Sequence, residues 1–400
     1  MLPGLISRSH DLRRLRDEGY DISVENAYLL VNHVPYVDSQ RHVVYGTLIS
    51  ILDLAGDRTT KPQNHIVLWA GSFPCDSKGV QISKLVNEQN KNEKIREGLV
   101  ATFSFSQKPP EGYNNYYEKV TTYVRILEGY AHVIDPNATA KTFPVIKPEE
   151  EQSVFCYMDT ASSRAGISAA NEKLKRGKIA IVGLGGTGTY VLDFVAKTPV
   201  EEIHLFDGDY FLQHNAFRSP GAPSIDDLER KKYKVEWFAE IYSKMRHNIF
   251  PHAQFIDEVS VGDLHSMSFV FLCMEGANKK AIVDFLVKKK IPFIDTGIGM
   301  YNNNDVDVLG GNARVTTCTP DFYGHIPKRI NFTSDGDNEY SRDIQIADMN
   351  ALNAALAVIK WKKLSGFYLD MEKEHNTTYG IITNLITNDD SLEETKNDKT

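Results

Sequence analysis

Apolar and polar positions change their rhythm near the middle of the 400-residue chain. Residues 10–18, HDLRRLRDE, predict a short helix stopped by Gly19. The segments AYLLVNHVPYV, HVVYGTLISIL, NHIVLWAG and GLVATFSFS follow, β-rich and separated by Gly, Pro and Asn signals, with helical stretches expected near 79–97 and 115–130. Strands that succeed one another without an intervening helix predict antiparallel pairing, so residues 1–150 are expected to form a smaller α+β domain. Residues 134–152, with three prolines and a charge cluster, are the best linker.

Beyond a helix expected from Ser163 to Arg176, strands and helices alternate. KIAIVGLG, EEIHLFDGD, MSFVFLCME and PFIDTGIG predict strands. TGTYVLDFVAKT, LERKKYKVEWFAEIYSKMRHN and ANKKAIVDFLVKKK predict the helices between them. This βαβαβαβ order predicts an open, doubly wound, mainly parallel sheet over residues 151–384. A further helix, IQIADMNALNAALAVIKWKKLSG, carries alanines at helical spacing, and residues 385–400 are expected to be a flexible acidic tail.

Composition narrows the function. A net charge of -8 argues against general nucleic-acid binding. Four scattered cysteines, with no CxxC pair, predict neither a disulfide framework nor zinc. No window offers the roughly 20 apolar residues of a spanning helix, and the amino terminus lacks a signal-peptide core, so a cytoplasmic location without membrane partners is expected. Neither HExxH nor GxSxG occurs.

The chemistry concentrates in IAIVGLGGTGTYVLDF. Gly183, Gly185 and Gly188 satisfy GxGxxG between a strand and a helix, where backbone N–H groups can meet phosphate oxygens. Asp207 follows at the end of the second strand, placed to hold ribose hydroxyls. To this point a nicotinamide or flavin oxidoreductase is equally well described. Asp209, Asn215, Arg218 and Lys234 then add a second carboxylate and two cations, which suit a triphosphate with Mg²⁺ better than a dinucleotide.

GLGGTG, DGD, NxxR and Lys234 in KKYKV together resemble the ThiF/E1 family of adenylating enzymes, over about residues 160–370. The resemblance implies a Rossmann-like adenylation domain that uses ATP and Mg²⁺. Its substrate would be the C-terminal carboxylate of a ubiquitin-like or sulfur-carrier protein, with an E2-like conjugating protein downstream. A same-fold adenylator of a peptide or small molecule, and an inactive docking scaffold, remain alternatives. By the resemblance Gly183, Gly185, Gly186 and Gly188 would lie along the phosphates, Asp207 would hold the ribose, and Asn215, Arg218 and Lys234 would serve the phosphates. The metal would fall to Glu275, in Cys273-Met274-Glu275-Gly276 where the family has a CTDN-like sequence, or to Asp209. Ser219 follows Arg218 where the family usually has glutamine. Arg164 is the candidate for an arginine donated across a homodimer, and Cys318, followed by Thr319, for an acyl-accepting thiol. Residues 1–150, which include GSFPCDSKG, are expected to recognise a partner protein.

Overall fold

The computed structural model describes residues 4–148, 153–175, 177–276, 278–303, 306–332 and 344–391. The chain divides into two compact units, Met1–Ser153 and Val154–Thr400.

The first unit opens with α1 (Leu5–Arg8) and α2 (His10–Asp17). Its strands are β1 (Ile22–Glu25), β2 (Tyr28–Val37), β3 (Val43–Ile51), β4 (Leu54–Ala55), β5 (Arg58–Thr59), β6 (Val67–Ala70), β7 (Val86–Arg96) and β8 (Leu99–Phe105). All pairings in the six-stranded sheet β1-β2-β3-β6-β8-β7 are antiparallel, while β4 and β5 form a separate ribbon. Helix α3 (Tyr116–His132), capped by Asn115 through the Glu118 N–H, packs on β2. Leu12, Leu15, Val120, Tyr123 and Val124 share its core with Leu29, Val31 and Trp69. Each fully buried aliphatic side chain there contributes about 1.5–3 kcal/mol. Within this core Lys119 is 1% exposed. Its ammonium donates to Ser50 Oγ at 2.9 Å and Asn64 O at 2.7 Å, and burial lowers its pKa to about 8.

The expected helix near 79–97 is instead the edge strand β7. Its residues, VNEQNKNEKIR, are nearly all outside the core, with only Ile95 buried, so no two-residue alternation marks it as a strand. The proposed linker begins as part of this unit: Lys141 bridges to Tyr20 and pairs with Glu18, while residues 149–152 lie outside the described residues.

The second unit begins with α4 (Thr160–Arg164), α5 (Ser168–Asn171) and a 3-10 turn at Glu172–Leu174, in place of one helix to Arg176, a residue outside those described. Its strands are β9 (Lys178–Val182), β10 (Glu202–Phe206), β11 (Ile249–His252), β12 (Phe269–Leu272), β13 (Phe293–Asn303), β14 (Val308–Cys318), β15 (Asn376–Gly380) and β16 (Leu385–Asp389). They form one sheet, β11-β10-β9-β12-β13-β14-β15-β16. The first five strands are parallel, and β14, β15 and β16 extend the sheet antiparallel. Leu385–Asp389, expected to belong to a tail, is therefore the edge strand; residues 392–400 lie outside the described residues.

The helices are α6 (Gly186–Ala196), α7 (Gln213–Ala216), α8 (Ile225–Glu229), α9 (Lys234–Tyr242), α10 (Lys279–Lys289), α11 (Ile326–Arg329) and α12 (Ala347–Leu364). Ile179 and Ile181 face the layer containing α6, α9 and α12, and Ala180 and Val182 face the layer containing α10. Burial on both faces explains why these strands read as continuous apolar runs. The long helix expected over 228–248 breaks after Glu229, where Lys231 takes φ 46° and Tyr233 bridges to Tyr210. Among the described residues no helix is long and apolar enough to cross a membrane.

Candidate active site

The turn from β9 into α6 explains its glycines individually. Gly183 has φ 91°, and a Cβ there would lie 2.6 Å from Cys273 O. A Cβ at Gly188 would collide with Gly183 O, and one at Gly186 with the Asn350 side chain. Of the four, only Gly185 would accept a Cβ without a clash, its nearest described neighbour being Gln345 Oε1 in ordinary contact at 3.9 Å. Gly183 and Gly185 thus face a cleft, whereas Gly186 and Gly188 let α6 and α12 close on the turn.

That cleft, about 370 Å³, lies at the carboxyl ends of β9, β10 and β12. This is where ligands bind in open α/β sheets. Asp207, Asp209, Arg218, Lys234 and Glu275 all line it. Asp207 is buried; its Oδ2 accepts from Leu184 N–H at 2.7 Å and its Oδ1 from Asp209 N–H at 2.9 Å. The helix break before Lys234 makes it the first residue of α9 and turns its ammonium inward, 2.7 Å from Asp209 Oδ2 and 3.5 Å from Asp207 Oδ1. Arg218 follows α7, and its Nε is buried without a hydrogen-bond partner. Two cations therefore face three carboxylates in one cleft.

Asn215, Arg164 and Cys318 are placed elsewhere. Asn215 Oδ1 accepts from Leu212 N–H at 2.9 Å, capping α7, and Asn215 is not among the residues lining the cleft. Arg164 is exposed at the end of α4, also away from the lining. Cys318 is fully buried against the α10 layer, with Sγ 3.9 Å from His325 Nε2, and burial drives its thiol pKa well up. An attacking thiolate is favoured by the reverse, a lowered pKa and access, so Cys318, expected as an acyl acceptor, has neither of these in this fold. Cys273 does line the cleft, and burial pushes its thiol up to about 12.

Phe255, Met274, Asn278 and Gln345 also line the cleft without a role assigned to them from the sequence. Phe255 packs over Gly208, where a Cβ would lie 2.6 Å from its ring; the glycine of DGD was its one available signal. Behind the cleft Asp295 is fully buried between Lys279 Nζ at 2.8 Å and Arg314 Nη2 at 2.7 Å, joining α10, β13 and β14. Among the described residues no group of three His, Cys, Asp or Glu side chains could hold a metal.

A glycine turn, an acid at the end of the second strand and a cleft holding two cations at the carboxyl ends of parallel strands define a Rossmann-like nucleotide-site architecture. Residues 160–386 match the model of the ThiF family, more than half of the chain, and the protein belongs to that family. Residues 10–160 match the model described as Domain of unknown function (DUF6791). Among solved structures, PaaA is 18% identical, with 56% of this chain and 75% of that chain covered and a TM-score of 0.44. E. coli MccB solved with MccA is 19% identical, covering 58% and 69% at a TM-score of 0.44. E. coli MccB solved with ATP is 19% identical, covering 57% and 67% at 0.42. No curated protein matches the chain.

Proposed function

We propose that the protein uses ATP to adenylate the C-terminal carboxylate of a ubiquitin-like or sulfur-carrier protein. The observation that carries this reading is the convergence of Arg218, with its unpartnered buried Nε, and Lys234 on the cleft at the start of α6. A nicotinamide or flavin dinucleotide would also use Asp207 but would bring only a pyrophosphate to these two cations, less charge than a triphosphate carries.

In the reaction a carboxylate oxygen bonds to the α-phosphorus. The bond from that phosphorus to the α,β-bridging oxygen breaks, and pyrophosphate leaves with the electron pair. A carboxylate arrives deprotonated, so no general base is required. The protein's part is to hold the reactants in line and stabilise charge on the phosphoryl oxygens. Arg218 and Lys234 would do the latter, with Lys234 leaving Asp209 for phosphate, and Asp207 would orient the ribose through its remaining lone pairs. Two exposed carboxylates, Asp209 and Glu275, beside those cations suit Mg²⁺, which takes one or two carboxylates and fills its shell with phosphate oxygens and water. Bound there, it would offset the excess of acid in the cleft and neutralise phosphate charge. With Cys318 buried, onward transfer would go directly to a thiol of a partner such as an E2-like protein. The first unit would recognise that partner or the carrier, and the exposed Arg164 would be available to a second copy in a homodimer.

The test is carrier-dependent ATP–pyrophosphate exchange with a small carrier ending in glycine. Exchange that disappears in Arg218→Ala supports the proposal. Exchange that a short peptide supports equally well would assign the enzyme to peptide adenylation, and absence of exchange with every carrier and peptide would reject adenylation.

A further inference from the structure

The backbone donor at the start of α6 already has a protein acceptor. Gly186 N–H donates to Gln345 Oε1 over 3.3 Å, and Gln345 lines the same cleft as Arg218 and Lys234. The same oxygen is the nearest described neighbour of a Cβ built on Gly185, so the carboxamide stands over the one glycine of the turn where a Cβ would meet no clash. First-turn N–H groups have no acceptor within their own helix, and the eleven-residue α6 directs its positive dipole end at this point.

Two features make this contact replaceable. It is neutral and long for an N–H···O bond, whereas a phosphate oxygen would offer a charged acceptor and a bond roughly twice as strong. Gln345 also precedes α12, so a change in its rotamer breaks none of the hydrogen bonds of the helix itself. The anchoring of α12 to the turn belongs to Asn350, fully buried, which accepts from Thr187 Oγ1 at 3.2 Å and donates to Arg218 O at 3.4 Å.

We propose that Gln345 is a positioning residue that competes with nucleotide phosphate for the Gly186 N–H and thereby sets the affinity of the cleft for the phosphate chain. This rests on the ATP-binding reading above. The competition is local to the turn, so it acts on phosphate-bearing ligands and not on the nucleoside.

Calorimetric titration of the full chain with α,β-methylene ATP, and competition by adenosine against a fluorescent nucleotide, test it. Gln345→Ala is expected to bind the analogue several-fold more tightly with adenosine unchanged. Gln345→Asn, one methylene shorter, should move the same way and serves if the alanine variant folds poorly. Gln345→Glu should weaken the analogue at least tenfold, because a carboxylate holds the N–H and repels phosphate. Unchanged or weaker analogue binding in the neutral variants, or a parallel change in adenosine, overturns the proposal. If wild type binds the analogue and Lys234→Met loses it while Gln345→Ala is unaltered, the ATP reading stands and the role of Gln345 falls. Wild type that binds no nucleotide overturns both.

Discussion

Lys234 and Asp209 are joined twice: the Lys234 backbone N–H donates to Asp209 O at 2.9 Å, and its ammonium reaches Asp209 Oδ2 at 2.7 Å. The backbone bond fixes where α9 starts, and the side-chain pair holds the ammonium at the cleft. Lys234→Met keeps the unbranched stem and the backbone bond but removes the charge. Pyrophosphate exchange is expected to fall about 10²–10³-fold, and the urea midpoint to fall as well, because the buried Asp207 loses the cation beside it. Exchange near the wild-type rate would remove Lys234 from the mechanism.

Asp209→Asn separates metal binding from helix placement, since the backbone carbonyl survives. The Mg²⁺ concentration for half-maximal exchange is expected to rise about tenfold or more, with the rate at saturating Mg²⁺ changed less. An unaltered Mg²⁺ dependence, together with a shift in Glu275→Gln, would assign the metal to Glu275 alone.

The glycines of the turn are expected to differ in what alanine does to them. Gly183→Ala combines φ 91° with a Cβ 2.6 Å from Cys273 O and should cost about 1–3 kcal/mol or more in urea unfolding. Gly188→Ala should be similarly damaging, because its Cβ would meet Gly183 O. Gly185→Ala, where the nearest described atom beyond its chain neighbours is Gln345 Oε1 at 3.9 Å, should unfold like wild type. Equal destabilisation at all three positions would contradict this account of the turn.

Thiol chemistry provides a check on the buried cysteines. Iodoacetamide at pH 8 should label the half-buried Cys156 first, and Cys318 only after unfolding, as read by peptide mass spectrometry. Burial raises the Cys273 and Cys318 pKa values in the folded state, whereas an unfolded thiol titrates near about 8.5. Their contribution is therefore complete below that pH and is lost as pH rises above it, by about 1.4 kcal/mol per pH unit for each thiol. Cys318→Ala should show a shallower decline between about pH 8.5 and 10.

Lys119 has the opposite sign. Its folded pKa, about 8, lies below the ordinary value of 10.5, so between those values the unfolded chain binds the extra proton. Stability of the first unit should rise with pH across this window, by up to about 1.4 kcal/mol per pH unit. Trp69 fluorescence, in a chain carrying Trp237→Phe and Trp361→Phe, reports on that unit. Lys119→Met should abolish the rise; a rise that persists would have another origin.

The ThiF-type sheet was legible because its strands are buried on both faces and its glycine turn is constrained by atoms of the chain itself. The DGD and Lys234 signals were legible as charge, and the structure brings them to one cleft with Arg218 and Glu275. Asn215 illustrates the limit, since the same side chain can cap a short helix or reach a ligand, and its spacing is identical in either case. Cys318 shows another: a thiol beyond the sheet reads as accessible until β15 and α10 are known to enclose its strand. Strand β7 was missed because an exposed edge strand of polar residues has no apolar alternation, and α8 and α9 were merged because the break at Lys231 is a backbone event in a run of helix-favouring residues.

Asp295 is shared by Lys279 and Arg314, which come from two other elements. Replacing the aspartate alone leaves two cations facing each other, and replacing either cation changes the charge around a carboxylate with no access to water. These three positions are therefore expected to have changed together during divergence, as a neutral or apolar set or not at all. In descent as in folding, they behave as one inherited character distributed over three separate stretches of sequence.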